Sequence, residues 1–187
     1  IATWNINSIR LRIDLICKLL KNEEIDVLCL QECKSPVEKI PRDIFSQNGY
    51  PHLVARGQKG YNGVAIVSRI PIGQTHHKNW AEKIDCRHIC AQIENGLSIH
   101  NFYVPAGGDE PDPKINEKFS QKLNYLTQMK QYFDNVNIKN FSLNSYRNLF
   151  GIVLQDVTLI NDTVENNIKY GRNISDERLK ESAIIAN

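Results

Sequence analysis

A mixed α/β fold is what this sequence predicts, on three observations. An apolar strand, an amphipathic helix and a second apolar strand follow one another between Ile1 and Glu32, strand-like stretches recur from His52 to Val104, and helical spacing returns from Pro113 to Asp134. The 187 residues are 41% hydrophobic and 24% charged, which suits one packed domain, or one and a fragment. With 23 basic against 21 acidic residues the net charge is +2. No polycationic field therefore points by itself to nucleic acid or an acidic membrane, and any such claim has to come from a site.

Ile1 to Asn5 reads as the first strand, and Leu11, Leu15, Ile16, Leu19 and Leu20 recur at helical spacing, predicting a helix from about Ser8 to Asn22. Asp26 to Glu32 is a second buried strand ending in a carboxylate. Strand, helix, strand in that order predicts a parallel crossover, which leaves both strand ends, Asn5 and Glu32, on one edge. Pro36 and Pro41 mark a connection, followed by a short helix at Arg42 to Gln47 and a strand at His52 to Ala55. Gly57, Gly60 and Gly63 punctuate the stretch before a strand at Val64 to Ser68. Arg87 to Ile93 and Leu97 to Val104 read as strands joined at Asn95-Gly96, a hairpin signal. Phe119, Leu123, Leu126, Met129 and Phe133 give a long helix ending near Asp134. Beyond it the chain becomes asparagine-rich, with a short helix, a strand at Gly151 to Gln155 and two helices.

The sequence opens on Ile inside an apolar run, so the expectation is that it starts within its first strand with residues missing upstream. No run reaches the roughly 18 apolar residues of a membrane span and no leader pattern stands at the start, so a soluble, cytoplasmic protein without membrane insertion is expected. Five cysteines, an odd number without a C-x-x-C, read as free thiols. His88 lies between Cys86 and Cys90, but the expectation is that strand alternation turns it away from them, and no metal site is expected there.

Phosphodiester hydrolysis needs a cation to neutralise phosphate and activate water, and Mg²⁺ takes one or two carboxylates with water filling the rest. Glu32 at a strand end is such a carboxylate. Taken singly, a Glu after an apolar strand more often serves a loop or caps a helix. Asn5 is a common turn residue, and a lone Tyr103 suits a core or an edge.

Taken together, the strings at 3–10 (TWNINSIR), 25–34 (IDVLCLQECK), 57–66 (GQKGYNGVAI) and 101–108 (NFYVPAGG) resemble, in order and spacing, the exodeoxyribonuclease III branch of the endonuclease/exonuclease/phosphatase superfamily. The resemblance covers residues 1–134. It implies the first part of an α/β sandwich, a DNA-repair activity on double-stranded DNA, and Mg²⁺, with Mn²⁺ as a substitute. It places the metal-binding glutamate on Glu32, the metal- and phosphate-site asparagine on Asn5 and the catalytic tyrosine on Tyr103. Lys59 and Arg87 fall at positions near the DNA backbone, although solvated surface charge suits them equally well. The family's Gly-Asp-x-Asn and Ser-Asp-His strings are missing; Gly-Asp occurs only at Gly108-Asp109 and Ser-Asp only at Ser175-Asp176. The expectation is a nuclease crippled by truncation, or else a non-catalytic fusion remnant. Half of a two-sheet fold would also expose an apolar face, predicting marginal stability or aggregation.

Residues 135–187 resemble the Q-loop region of an ABC exporter's nucleotide-binding domain, through the strings at 138–147 (IKNFSLNSYR) and 152–168 (IVLQDVTLINDTVENNI). That resemblance places the Q-loop glutamine on Gln155. No G-x-x-x-x-G-K-[ST] loop is present, so no ATP binding is expected, and a membrane-transporter partner is not expected either.

Overall fold

The computed structural model describes residues 1–134, 151–153, 163–169 and 174–186. The chain forms two compact units, Ile1–Val153 and Leu154–Asn187. In the first, β1 (Ala2–Asn5), β2 (Val27–Gln31), β3 (His52–Gln58), β4 (Tyr61–Ser68) and β8 (Gly151–Val153) make one sheet in the order β3-β4-β2-β1-β8. A second sheet holds β5 (Ile72–His76), β6 (His88–Ile93) and β7 (Ser98–Phe102) in sequence order. The helices are α1 (Ile13–Asn22), α2 (Arg42–Gln47) and α3 (Glu117–Asp134).

β2 is buried along its whole length because both of its faces are covered. Leu28 and Leu30 pack with Ile16 and Leu20 of α1 and with Phe45 and Leu53. Val27 and Cys29 pack with Ile89, Ala91 and Ile99 of the second sheet. Alternation along one strand thus serves two cores. The second sheet supplies the cover whose absence the sequence suggested, so the inner apolar face of β2 and β4 is not exposed.

β1 runs parallel to β2 with Asn5 opposite Gln31, as the strand–helix–strand order predicts. The helix between them starts at Ile13 rather than Ser8. The reason lies in the backbone: Ile6, Ser8 and Ile9 donate their N–H groups to the carbonyls of Gln31, Glu32 and Cys33 at 2.9, 2.7 and 3.1 Å. Asn7 and Ser8 take φ of +46° and +95° to do so, which is incompatible with a helical turn. Ile6 and Ile9 are thereby buried in the core.

β5 carried no sequence signal, being a polar edge strand, Ile-Gly-Gln-Thr-His, exposed after its first residue. His88 and Cys90 lie on the same outer face of β6, not on opposite faces. His88 Nε2 and Cys90 Sγ both reach His100, at 3.1 and 3.5 Å, as residues two apart on a strand must when they share a face. On that face His88 stacks on Phe102 and His100, and Trp80 packs on Tyr125 of α3. Burial pushes the imidazoles down, His88 to about 3 and His100 to about 4, so both are neutral at physiological pH.

Gly151–Val153, read from the sequence as part of the second block, pairs in parallel with β1. The second unit shows two helices, α4 (Val164–Lys169) and α5 (Asp176–Ala186). The short helix expected between 135 and 150 lies outside the described residues, as does Gln155. No helix among the described residues is long and apolar enough to cross a membrane.

Candidate functional site

The carboxyl ends of β1 and β2 meet the end of β7 on one rim, and three side chains converge there. Asn5 Nδ2 donates to Glu32 Oε1 at 2.8 Å, and the Tyr103 hydroxyl donates to the same oxygen at 2.8 Å. The other oxygen, Oε2, takes the Lys34 ammonium at 2.9 Å. Glu32 is only 6% exposed. Burial alone would push its carboxyl up, but the hydrogen bonds from Asn5, Lys34 and Tyr103 outweigh that and hold it below the usual range. Glu32 is therefore a carboxylate at neutral pH. Burial and the bond to Glu32 push the Tyr103 phenol up to about 12, which keeps it a hydrogen-bond donor.

The local backbone explains why Glu32 points there. Glu32 and Lys34 both sit in the left-handed region, at φ +53° and +47°, where residues with a side chain cost free energy unless their surroundings hold them. Here they are held. Ser8 N–H donates to Glu32 O at 2.7 Å, Cys33 N–H to Gly63 O at 3.1 Å and Lys34 N–H to Asn62 O at 2.8 Å. The glycine-punctuated stretch makes this contact: a Cβ at Gly57 would lie 2.1 Å from Ser35 O, and Gly63 has φ +97°. The string Gly57–Gly63 is thus a backbone clamp on the turn that carries Glu32.

Beneath the rim, polar groups join the two sheets. Asn101 of β7, 2% exposed, donates to Leu30 O at 2.9 Å and Ala65 O at 2.8 Å. It accepts from Gln31 Nε2 at 2.6 Å, and Gln31 Nε2 also donates to Thr3 Oγ1 at 2.8 Å. Gln31, Asn101 and Lys34 were not singled out from the sequence. For Gln31 and Asn101 the available signal was a polar residue at an inward-facing position of an otherwise apolar strand face.

Arg87 lies beside the site. Its Nε pairs with Asp85 Oδ2 at 2.6 Å, its Nη1 donates to Tyr103 O at 3.2 Å, and its guanidinium stacks 4.5 Å from the Tyr103 ring centroid. Burial lowers its pKa, but the Asp85 carboxylate more than restores it. A cleft of about 470 Å³ that includes Tyr61, Asp85, Arg87, Pro105 and Gln121 in its walls flanks this side. Lys59 is exposed at the β3–β4 turn.

A carboxylate and an amide carbonyl form an all-oxygen donor set, which fits a hard divalent cation such as Mg²⁺. Lys34 Nζ already places positive charge on that carboxylate, so an incoming cation would have to displace it from Oε2.

The model of the Endonuclease/Exonuclease/phosphatase family matches residues 2–150. The exodeoxyribonuclease III of Haemophilus influenzae is 30% identical over 141 residues, covering 71% of this chain and 50% of that protein; the chain spans about half the length of this curated relative. A solved AP endonuclease from Archaeoglobus fulgidus is 34% identical with a TM-score of 0.62, covering 76% of this chain and 52% of that one. An ATP-dependent lipid A-core flippase of Methylobacillus flagellatus is 50% identical over 54 residues, 28% of this chain and 9% of that protein.

Proposed function

Because the chain belongs to the Endonuclease/Exonuclease/phosphatase family, we propose that Asn5, Glu32 and Tyr103 are the metal- and phosphate-binding half of a Mg²⁺-dependent phosphodiester hydrolase. Its substrate is double-stranded DNA and its type that of exodeoxyribonuclease III and the abasic-site endonucleases. The observation that carries this is the convergence of Asn5 Nδ2 and Tyr103 OH on one Glu32 oxygen, each at 2.8 Å. Mg²⁺, or Mn²⁺ in its place, would supply charge neutralisation at the scissile phosphate and a more acidic water. Glu32 and Asn5 would hold the cation through oxygen. Tyr103, protonated at neutral pH, would turn its O–H from Glu32 to a phosphate oxygen. Arg87 keeps the Tyr103 ring in place, and exposed Lys59 offers charge to the DNA backbone.

The 187-residue chain assayed alone should nonetheless cleave near background. It carries no Gly-Asp-x-Asn or Ser-Asp-His string, so the groups expected to position the attacking water and receive the departing oxygen are not among its residues. The Lys34 ammonium on Glu32 favours a second reading, a non-catalytic remnant that binds Mg²⁺ or DNA weakly. The flippase match supports the further proposal that the C-terminal piece derives from an ABC ATPase, without nucleotide binding of its own. Both readings are tested by cleavage of an abasic-site duplex with Mg²⁺ and by Mn²⁺ binding, each against Glu32→Gln. We expect little cleavage and one Mn²⁺ site lost in the variant. Strong wild-type cleavage abolished by Glu32→Gln would overturn the claim of inefficiency and point to Asp109, Glu110, Asp112 or a partner chain as the source of the missing groups. Mn²⁺ binding indifferent to Glu32→Gln would overturn the metal assignment.

A further inference from the structure

The outer face of the second sheet carries three metal-ligating side chains in one row. His76 of β5 pairs directly with Cys90 of β6, and Cys90 pairs directly with His100 of β7. Directly opposed residues on neighbouring antiparallel strands share a face and stand side by side, so the register alone aligns an imidazole, a thiol and an imidazole across three strands. One ring nitrogen or sulfur of each lies within 4.8 Å of the others, and this is the cluster of its kind among the described residues. Cys90 Sγ stands 3.5 Å from His100 Nε2. Tetrahedral Zn²⁺, with Zn–S of about 2.3 Å and Zn–N of about 2.0–2.1 Å, separates sulfur and nitrogen ligands by about 3.6 Å. The Cys90–His100 pair is already at that spacing, and the exposed His76 ring at the sheet edge would close the remainder by rotation, exchanging the Tyr132 hydroxyl, 3.2 Å from its Nε2, for the ion.

Packing is the plainer account of these rings, since His88, His100 and Phe102 stack on one another. Packing alone would be served by Phe in this row, as Phe102 serves in the next. Two imidazoles and a thiol suit a borderline-soft ion, Zn²⁺ before Mg²⁺ or Ca²⁺. We propose that His76, Cys90 and His100 form a three-ligand Zn²⁺ site on the outer face of the second sheet, separate from the Glu32 rim.

Binding balances with one proton released: the Cys90 S–H bond breaks, a sulfur–zinc bond forms and the proton goes to solvent, while both histidines ligate as neutral imidazoles. His100 then carries its proton on Nδ1, 3.1 Å from His88 Nε2. His88 Nδ1 accepts the Lys78 N–H at 3.0 Å in the metal-free protein, so His88 gives up that bond to become the acceptor for His100. Ligation across β5, β6 and β7 ties an exposed edge strand to the sheet centre.

The test is titration of the reduced full chain with Co²⁺ as the spectroscopic probe. We expect saturation at one equivalent, with a thiolate-to-cobalt charge-transfer band and the intense visible bands of four-coordinate cobalt, both bleached by Zn²⁺. Cys90→Ser should abolish the charge-transfer band. His76→Gln, an exposed edge-strand change that leaves the core intact, should weaken binding at least tenfold and keeps the test decisive if the cysteine variant does not fold. Glu32→Gln should leave the thiolate-to-cobalt charge-transfer band unchanged. Three results would overturn the proposal: no charge-transfer band, only the weak bands of octahedral cobalt, or a full-strength band that survives His76→Gln.

Discussion

Replacing Asn101 with Ala tests whether a polar bridge, rather than apolar area alone, holds the two sheets in the register that builds the site. Asn101 makes three buried hydrogen bonds, to Leu30 O, Ala65 O and Gln31 Nε2, between 2.6 and 2.9 Å. Each contributes about 1 kcal/mol net, and a buried partner left unsatisfied costs about 1–3 kcal/mol more. The Gln31 amide keeps Thr3 Oγ1, so its loss is small; each of the two carbonyls loses a bond of about 1 kcal/mol and at least about 1 more for its lost partner, so the sum comes to about 4 kcal/mol or more. Against total stabilities of about 5–15 kcal/mol for a domain, this is a large share. Urea unfolding followed by circular dichroism should show a lower midpoint at unchanged slope. A double-mutant cycle with Gln31→Ala should return a coupling of about 1 kcal/mol. A loss below about 1 kcal/mol, or a coupling near zero, would refute the reasoning and shift the holding of the sheets to apolar contacts such as those of Val27 and Cys29 with Ile89 and Ala91.

Lys34→Met removes the ammonium from Glu32 Oε2 and should raise Mn²⁺ affinity at least tenfold by calorimetry; unchanged affinity would show that the lysine does not compete for the site. Burial pushes the thiols of Cys29 and Cys33 up to about 12, so iodoacetamide mapped by mass spectrometry should label the half-buried Cys17 and Cys86 well before them. Glu32 is held below its ordinary value of 4.5. The unfolded chain therefore binds its proton first on acidification, and the stability Glu32 contributes is complete above about pH 4.5 and lost as pH falls through the folded value. Thermal melts between pH 7 and pH 3 should show that loss, and Glu32→Gln should flatten it.

What was legible in the sequence was local and periodic. The strand–helix–strand order sufficed to bring Asn5 and Glu32 to one edge, because parallel strands joined by a helix put their carboxyl ends together. The onset of α1 was not legible, since Asn7 and Ser8 leave the helical region to pair with the end of β2, a contact formed only once β2 is in place. β5 was invisible because an edge strand needs no apolar alternation. Tyr103 belongs to the site only through packing of the second sheet on the first; no spacing argument reaches across 71 residues, and its role came from the resemblance. Arg87, for which a position near the DNA backbone and a solvated surface charge suited the sequence equally, pairs with Asp85 and braces Tyr103.

Under the proposed function, the way the rim is built separates holding a cation from turning over a substrate. Glu32 is fixed by the parallel register of β1 on β2, the backbone clamp from Gly57 to Gly63, the Gln31–Asn101 bridge and the Arg87 stack on Tyr103. The left-handed backbone at Glu32 and Lys34 is sustained by the bonds of Ser8 N–H to Glu32 O, Cys33 N–H to Gly63 O and Lys34 N–H to Asn62 O. The Glu32 carboxylate is therefore preformed by bonds made within the first unit. If binding and turnover are separable in this way, Asn101→Ala should weaken Mn²⁺ binding through loss of Tyr103 and Glu32 alignment even though it touches neither ligand, and a variant that unfolds more easily yet binds Mn²⁺ unchanged would show that the rim is held by β1 and the clamp alone.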